Sequence, residues 1–381
     1  MHLAFLLYKY FPYGGLQRDF ARFVVLLQQR GHHCRVYCTC WQGEQLPGVE
    51  LRLAPGFTGS NVRRNQHFLE WAQAELAAAP VDGVIGFNKM PGLEVYYAAD
   101  PCFLDKALWG RGLFYRLGWR FRHFAAWERA VFDPAASTEI LLISASEQRK
   151  FERHYHTPPA RMHLLPPGVA PDRRRPPDAV SRRAGARHQL GLTHDVHTLL
   201  LVGSGFITKG LDRAIRGLAY LRTAYPTRRF RLLVAGQDGA GRFSLLARRQ
   251  QVQREVTFLG GREDIADLML AADVLVHPAR SEAAGIVLLE ALVAGLPVVV
   301  TGACGYADHI ETAGAGLVLP EPFSQADLDA ALARMLDGGF REQCRNRGLG
   351  YAAKEDLYSL HSVGVELIEQ VIRRKQGRVD D

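Results

Sequence analysis

Glu282-Ala283-Ala284-Gly285-Ile286-Val287-Leu288-Leu289-Glu290, followed by Ala294-Gly295-Leu296-Pro297-Val298-Val299-Val300-Thr301, reads as a small-residue turn, an apolar helix and a buried strand in immediate succession. The turn has little side-chain bulk, so a ligand can approach the amides that the first turn of a helix leaves unpaired, where the macrodipole favours negative charge. Ala284, Gly285, Ile286 and Val287 therefore read as amide donors for a diphosphate. Leu288, Leu289, Leu292 and Val293 form the apolar body of the helix, so Glu290 is an acid in an apolar segment and needs a partner such as a ribose diol. Eight helical residues rise about 12 Å, too far for Glu282 and Glu290 to share a proton but suited to the two ends of one extended ligand. Glu282 then meets sugar hydroxyls and Glu290 the ribose. The bare spacing equally describes a helix-end acid and a surface Glu.

Outward from this stretch, short apolar runs alternate with helical patterns. The first half predicts strands at 3–8, 34–39, 50–54, 82–87, 95–99 and 139–143, with helices at 16–30, 62–78, 104–133 and 145–155. After Leu165-Pro166-Pro167-Gly168 a second alternation predicts strands at 198–203, 231–235, 256–259, 273–276 and 297–301. Its helices fall at 209–223, 241–250, 263–271, 285–294, 324–336 and 340–351. Strands alternating with helices imply parallel sheets covered on both faces. Between 171 and 188 six arginines and three prolines stand in almost no apolar content, which predicts an exposed linker. At 381 residues two domains are the default. The expected architecture is α/β: two Rossmann-like doubly wound domains facing across a cleft, at 1–168 and 169–355, with a C-terminal helix at 356–381.

Composition bounds the function. A hydrophobic content of 48% with 23% charged residues is that of a soluble globular protein, and no stretch approaches the roughly 20 apolar residues of a membrane-spanning helix. The N-terminus reads as a first strand rather than a signal peptide, so a cytoplasmic location with reduced thiols is expected. The six cysteines match neither a disulfide framework nor a zinc pattern. A net charge of +8 suits an anionic partner without choosing among nucleic acid, phosphorylated glycan and acidic lipid. No recognition helix or RNA-binding motif is present, so nucleic acid is not the expected partner.

The Glu282–Glu290 stretch resembles the E-x7-E signature of the retaining glycosyltransferases of family 4, which have the two-domain GT-B fold. The resemblance covers nearly the whole chain. It is closest at Leu7-Tyr8-Lys9-Tyr10-Phe11-Pro12-Tyr13-Gly14-Gly15-Leu16-Gln17-Arg18-Asp19 and Gly86-Phe87-Asn88-Lys89-Met90-Pro91-Gly92-Leu93, which look like the members that add a hexose to the lipopolysaccharide core. The resemblance implies a UDP-hexose donor, an inner-core heptose acceptor, no metal or other cofactor, and a last helix that crosses back to the first domain. The same fold also hosts sugar-nucleotide epimerases and phosphorylases.

Further candidates follow. Gly14 and Gly15 would turn backbone amides toward the cleft. Asp19, read as lying in the first turn of the next helix, is either a dipole acid or, as the resemblance implies, a residue that orients a sugar. Asp100 is a weaker candidate of the same kind, and Lys89 suits an anionic acceptor. Gly203 opens a loop, Gly203-Ser204-Gly205-Phe206-Ile207-Thr208-Lys209-Gly210, that is neither a Rossmann fingerprint nor a P-loop. Lys209 can neutralise a departing diphosphate. Family members commonly carry an arginine where Ser204 stands, and Arg173 is placed to supply that second cation unless it belongs to a solvated arginine run. Gly260-Gly261-Arg262 suits a nucleobase, with Arg262 free for base or phosphates. Asp327-Leu328-Asp329 mimics a metal-binding motif but falls on an amphipathic helix, where a solvated face is expected. Between 103 and 132, Trp109, Phe114, Tyr115, Trp119, Phe121, Phe124 and Trp127 alternate with Lys106, Arg111, Arg116, Arg120, Arg122 and Arg129. That mixture suits a helix lying on an anionic membrane surface, with part of the aromatics in the core. Given the implied acceptor, the surface is the inner face of the inner membrane.

Overall fold

In a computed structural model of the chain, residues 1–12, 14–110 and 113–377 are described. Tyr13 of the glycine turn, Arg111 and the side chain of Trp109 lie outside the described residues. The chain divides into two compact units, Met1–Pro166 with Ser359–Asp381, and Pro167–Tyr358. The first runs β1 (His2–Leu6), β2 (Lys9–Tyr10), α1 (Gly15–Gln29), β3 (His33–Cys38), β4 (Cys40–Trp41), β5 (Glu50–Leu53), α2 (Asn61–Ala78), β6 (Gly83–Gly86), β7 (Val95–Ala98), α3 (Phe103–Gly110), α4 (Leu113–Leu117), α5 (Trp119–Phe132), β8 (Glu139–Leu142), α6 (Ala145–Tyr155) and β9 (Met162–Leu164). The second runs α7 (Ala179–Gln189), β10 (Val196–Val202), α8 (Leu211–Ala224), β11 (Arg229–Ala235), α9 (Gly241–Arg249), β12 (Val256–Gly260), α10 (Ile265–Ala271), β13 (Val274–His277), α11 (Ile286–Ala294), β14 (Val298–Thr301), α12 (Ala307–Ala313), β15 (Gly316–Leu319), α13 (Gln325–Arg334) and α14 (Gly338–Ala352). Helix α15 (Leu360–Gln376) completes the first unit.

Each unit is built on one parallel sheet, in the orders β5-β3-β1-β6-β7-β8-β9 and β12-β11-β10-β13-β14-β15. The central strands are buried on both faces, Leu199, Leu200 and Leu201 in β10 and Val298, Val299 and Val300 in β14 among them. This is why they read as continuous apolar runs rather than alternating ones. In the first unit Phe20, Phe23, Val24 and Leu27 bury one face of α1, and α15, with Val365, Ile368 and Ile372 buried, packs on that helix. Gly364 is required there: a Cβ would stand 2.5 Å from the Phe23 ring.

The structure corrects three expectations. The arginine-rich 171–188 stretch is no linker; it holds a 3-10 turn, Pro171–Arg173, and helix α7 packed on α10. Arg187 is buried and donates to Ala271 O at 2.8 Å, Thr193 O at 2.7 Å and Val196 O at 2.8 Å. Arg183 donates to Leu270 O, Ala272 O and Asp273. These guanidinium groups satisfy carbonyls at the end of α10 that the helix itself leaves unpaired. Second, the long helical region 104–133 is not one continuous helix: among the described residues it breaks at Gly118, whose backbone is extended, before α5 begins. Third, β9, α12, β15 and the two-residue pair β2–β4 are additional elements.

Candidate functional site

The second unit gathers its candidate residues at the carboxyl ends of β10 and β13. The loop after β10 leads through Gly203 and Lys209 into α8. Gly210, the residue before that helix, has φ +73°, and a Cβ there would lie 2.0 Å from Pro278 O, so the two loops cross backbone to backbone. Arg280 N donates to Thr208 O at 2.7 Å, and the Arg280 guanidinium takes Asp212 through two 2.8 Å bonds. Arg213 donates to Pro278 O and Ala279 O. The loop carrying Glu282 is held on its other side by 303–306, with Glu282 N to Ala303 O at 3.3 Å, Gly305 N to Glu282 O at 3.1 Å and Tyr306 N to Ala284 O at 2.8 Å. Glu282 thus stands in a one-residue bridge to Cys304, ahead of the helix rather than on it.

Lys209 Nζ is ion-paired with Glu282 Oε2. Burial pulls the ammonium down to about 8. His277 Nε2 lies 3.5 Å from the same Glu282 oxygen. His277 is fully buried with neither ring nitrogen hydrogen-bonded, and burial, then the Lys209 charge, pushes it down to about 3, so it is neutral. Sequence reasoning passed over His277, although a histidine closing the apolar strand Val274-Leu275-Val276 was a visible signal.

Helix α11 begins at Ile286 after Gly285, which has φ +87°. The amides of Gly285, Ile286 and Val287 carry no hydrogen bond among the described residues, while Leu288 N already returns to Gly285 O. The helix is buried from Val287 to Ala294, Glu290 included. Arg173 is not part of a solvated run: its side chain is 10% exposed and its Nε lies 3.5 Å from Glu290 Oε1. Lys209–Glu282, ahead of α11, and Arg173–Glu290, midway along it, are therefore two half-buried acid–base pairs, of which only Glu290 is buried. Ser204 Oγ accepts Gln237 N at 3.0 Å, bracing the Gly203 loop on its neighbour.

Several expectations need correction. Arg262 is not free, since it chelates Asp264 through Nε at 2.7 Å and Nη2. In the first unit, Asp19 lies past the first turn of α1, which begins at Gly15 and has no acid there. Asp19 accepts Tyr97 Oη at 2.8 Å and pairs with His361 Nε2 at 2.9 Å, joining α1 to β7 and α15. Lys89 is not available to an acceptor: it donates to Pro101 O at 2.8 Å and pairs with Glu128, which has no exposure. Glu128 also takes Phe103 N at 2.7 Å, Leu104 N at 2.9 Å and Tyr155 Oη at 2.7 Å, so it fixes the start of α3. Asp100 is exposed beyond the end of β7. Gly14 and Gly15 open α1. Asp327 and Asp329 lie on α13, where Asp329 accepts Gln325 Nε2 at 2.9 Å. Among the described residues no cluster of three His, Cys, Asp or Glu suits a metal ion.

Residues 103–132 divide by exposure. Trp127 and Phe132 belong to the core, whereas Phe114 is 88% exposed and Leu117 and Trp119 are also largely exposed. Among the described residues no helix is long and apolar enough to cross a membrane.

The family model for glycosyl transferases group 1 matches residues 183–354, and that for glycosyltransferase family 4 matches 13–173. The lipopolysaccharide glucosyltransferase WaaG of Escherichia coli K12 is 44% identical over 369 residues, 97% of this chain and 98% of that protein. The chain belongs to the family 4 glycosyltransferases. The crystal structure of WaaG, a glycosyltransferase involved in lipopolysaccharide biosynthesis, matches with a TM-score of 0.91 over 96% of this chain and 99% of that one. HepE of Anabaena in complex with UDP-glucose shares the fold at 18% identity, with a TM-score of 0.75 over 97% of this chain and 100% of that one. The family's fold is GT-B, and the two parallel sheets described above are its two Rossmann-like domains.

Proposed function

We propose that this enzyme moves a glucose-type hexose from a UDP-sugar to an inner-core heptose of lipopolysaccharide, with retention, during assembly of the outer core. The observation that carries the reading is 44% identity along 97% of the chain to a lipopolysaccharide glucosyltransferase. The Lys209–Glu282 pair at the strand ends of the second unit supports it.

The chemistry follows from the pairs. A donor diphosphate competes for Lys209 and for the amides of Gly285, Ile286 and Val287, which releases the Glu282 carboxylate to hold sugar hydroxyls. Glu290, braced by Arg173, accepts the ribose hydroxyls. As the bond from the sugar's anomeric carbon to the diphosphate oxygen breaks, Lys209 stabilises the charge developing on that oxygen. The acceptor hydroxyl forms its bond to the same carbon from the same face and passes its proton to the departing oxygen. The cations Lys209 and Arg173 supply the charge stabilisation, and the transfer is metal-independent. Phe114, Leu117 and Trp119, beside Arg116 and Arg120, seat the enzyme on the anionic inner face of the inner membrane.

Incubation with a panel of UDP-hexoses and core-truncated lipopolysaccharides tests the reading. We expect glucose incorporation into heptose-terminated core, unaffected by a chelator. Turnover of UDP-glucose to another sugar nucleotide or sugar phosphate without acceptor would favour an epimerase or phosphorylase and overturn it.

A further inference from the structure

One buried polar side chain of the second unit has no part in the proposed transfer. His277 closes β13, which lies inside the sheet between β10 and β14, and is registered on Val300. The three residues before it, Val274, Leu275 and Val276, are fully buried, so a residue needed here only for packing would be apolar like them. An imidazole instead brings two ring nitrogens into the interior, and neither Nδ1 nor Nε2 is hydrogen-bonded among the described residues. Proteins rarely leave such groups unsatisfied, because the bonds to water given up on folding are not replaced. One carboxylate is within reach: Glu282 Oε2 lies 3.5 Å from His277 Nε2, just past hydrogen-bonding range.

Among the described residues the Glu282 carboxylate meets two side chains, Lys209 and His277. They differ in what happens when a donor arrives. Lys209 is the cation for which the diphosphate competes, so it leaves Glu282 just as that carboxylate has to take up sugar hydroxyls. The Glu282 backbone is held by Ala303 O and Gly305 N, but its side chain is free to turn and would follow the departing cation. His277 cannot depart, because it is fully buried on an interior strand. A neutral imidazole has one N–H, and a carboxylate oxygen beside Nε2 favours the tautomer that carries the proton there. Such a donor holds one carboxylate oxygen without cancelling the charge, so the other oxygen remains a strong acceptor for a hydroxyl.

We infer that His277 is a positioning residue for the transfer: its Nε2–H takes Glu282 Oε2 when Lys209 moves to the diphosphate, leaving Glu282 Oε1 for the hydroxyls of the transferred sugar. The inference rests on the glycosyltransferase reading above and adds how the carboxylate that holds the sugar is itself kept in place.

His277→Leu and His277→Gln in the full chain test it, by initial rates with UDP-glucose and heptose-terminated core oligosaccharide, isothermal titration with UDP, and thermal unfolding at pH 7.5. Leucine keeps the apolar volume and removes both nitrogens; glutamine keeps an N–H that can reach Glu282. Loss of a hydrogen bond to a charged group predicts that His277→Leu lowers kcat/KM for UDP-glucose by about tenfold to a hundredfold. Its Kd for UDP should stay within about twofold of wild type, and its unfolding midpoint should not fall, since an unsatisfied buried group has been removed. His277→Gln should keep at least about a third of the wild-type kcat/KM. In a Glu282→Ala background, adding His277→Leu should cost less than about twofold, because the group it positions is already gone. A further tenfold loss in that background, equal losses in the leucine and glutamine variants, or wild-type kcat/KM in His277→Leu would each overturn the proposal. A His277→Leu chain that unfolds earlier or loses UDP would assign the residue to packing and overturn it too. Wild-type enzyme that transfers to no core at all would instead overturn the parent reading.

Discussion

Replacing His277 separates two effects that a static picture merges. His277 is fully buried beside a cation, and its imidazole is held neutral down to about pH 3. In the unfolded chain it binds a proton near pH 6.5. Between those values the unfolded state carries the extra proton, so the stability associated with a neutral His277 is intact above pH 6.5 and is lost as pH falls toward 3. The slope is about 1.4 kcal/mol per pH unit, so at pH 5.0 this one residue withdraws about 2 kcal/mol from the second unit. His197, pushed down to about 4 by burial, acts in the same direction. His309 is also pushed down by burial, so His277→Gln should remove the His277 part of the acid destabilisation while leaving the parts due to His197, His309 and the carboxylates. The readout must come from the second unit, because all five tryptophans, residues 41, 71, 109, 119 and 127, lie in the first. Hydrogen exchange by mass spectrometry on peptides covering β13 and β14, at pH 7.5 and 5.0 in urea, meets that need. Equal losses of protection in wild type and His277→Gln would refute the neutral-imidazole argument. If Glu282 also depends on His277, the variant's UDP-glucose KM will rise at pH 7.5, where no protonation is involved.

On the proposed role of Glu282 at the transferred sugar, Glu282→Ala should lower kcat by at least about a hundredfold with UDP still bound; isothermal titration with UDP alongside initial rates checks it. Gly210→Ala forces a Cβ against Pro278 O at positive φ and should destabilise the second unit by about 2 kcal/mol or more, measurable in the same exchange experiment. Glu128→Gln leaves Lys89 buried without its charge partner and should cost about 3–5 kcal/mol, visible as an earlier tryptophan transition in urea. Phe114→Ser with Trp119→Ser should weaken sedimentation with anionic vesicles while sparing turnover of a soluble core oligosaccharide; retention of full vesicle binding would remove these side chains from the membrane reading.

The sheets were legible because doubly covered parallel strands leave a period-free apolar run, as in Val298–Val300, and because the helix between them ends on Gly295 with φ +73°. The arginine stretch was misread for an equally physical reason. Composition reports charge but not acceptors, and the acceptors of Arg175 and Arg187 are carbonyls of Ala294 and Ala271, 119 and 84 residues away. Short elements such as β15 offer four residues of pattern, too few to stand out from loop.

The candidate residues show the same boundary between local and distant information. Residue type and spacing singled out Lys89, Asp19 and Arg262 as charges able to meet a ligand, but availability depends on what folds against each. Lys89 is taken by Glu128, 39 residues on, and Asp19 by His361, 342 residues on; no local pattern contains those partners. Arg262 differs, because its partner Asp264 is two residues away and could have been read as a competitor from the start.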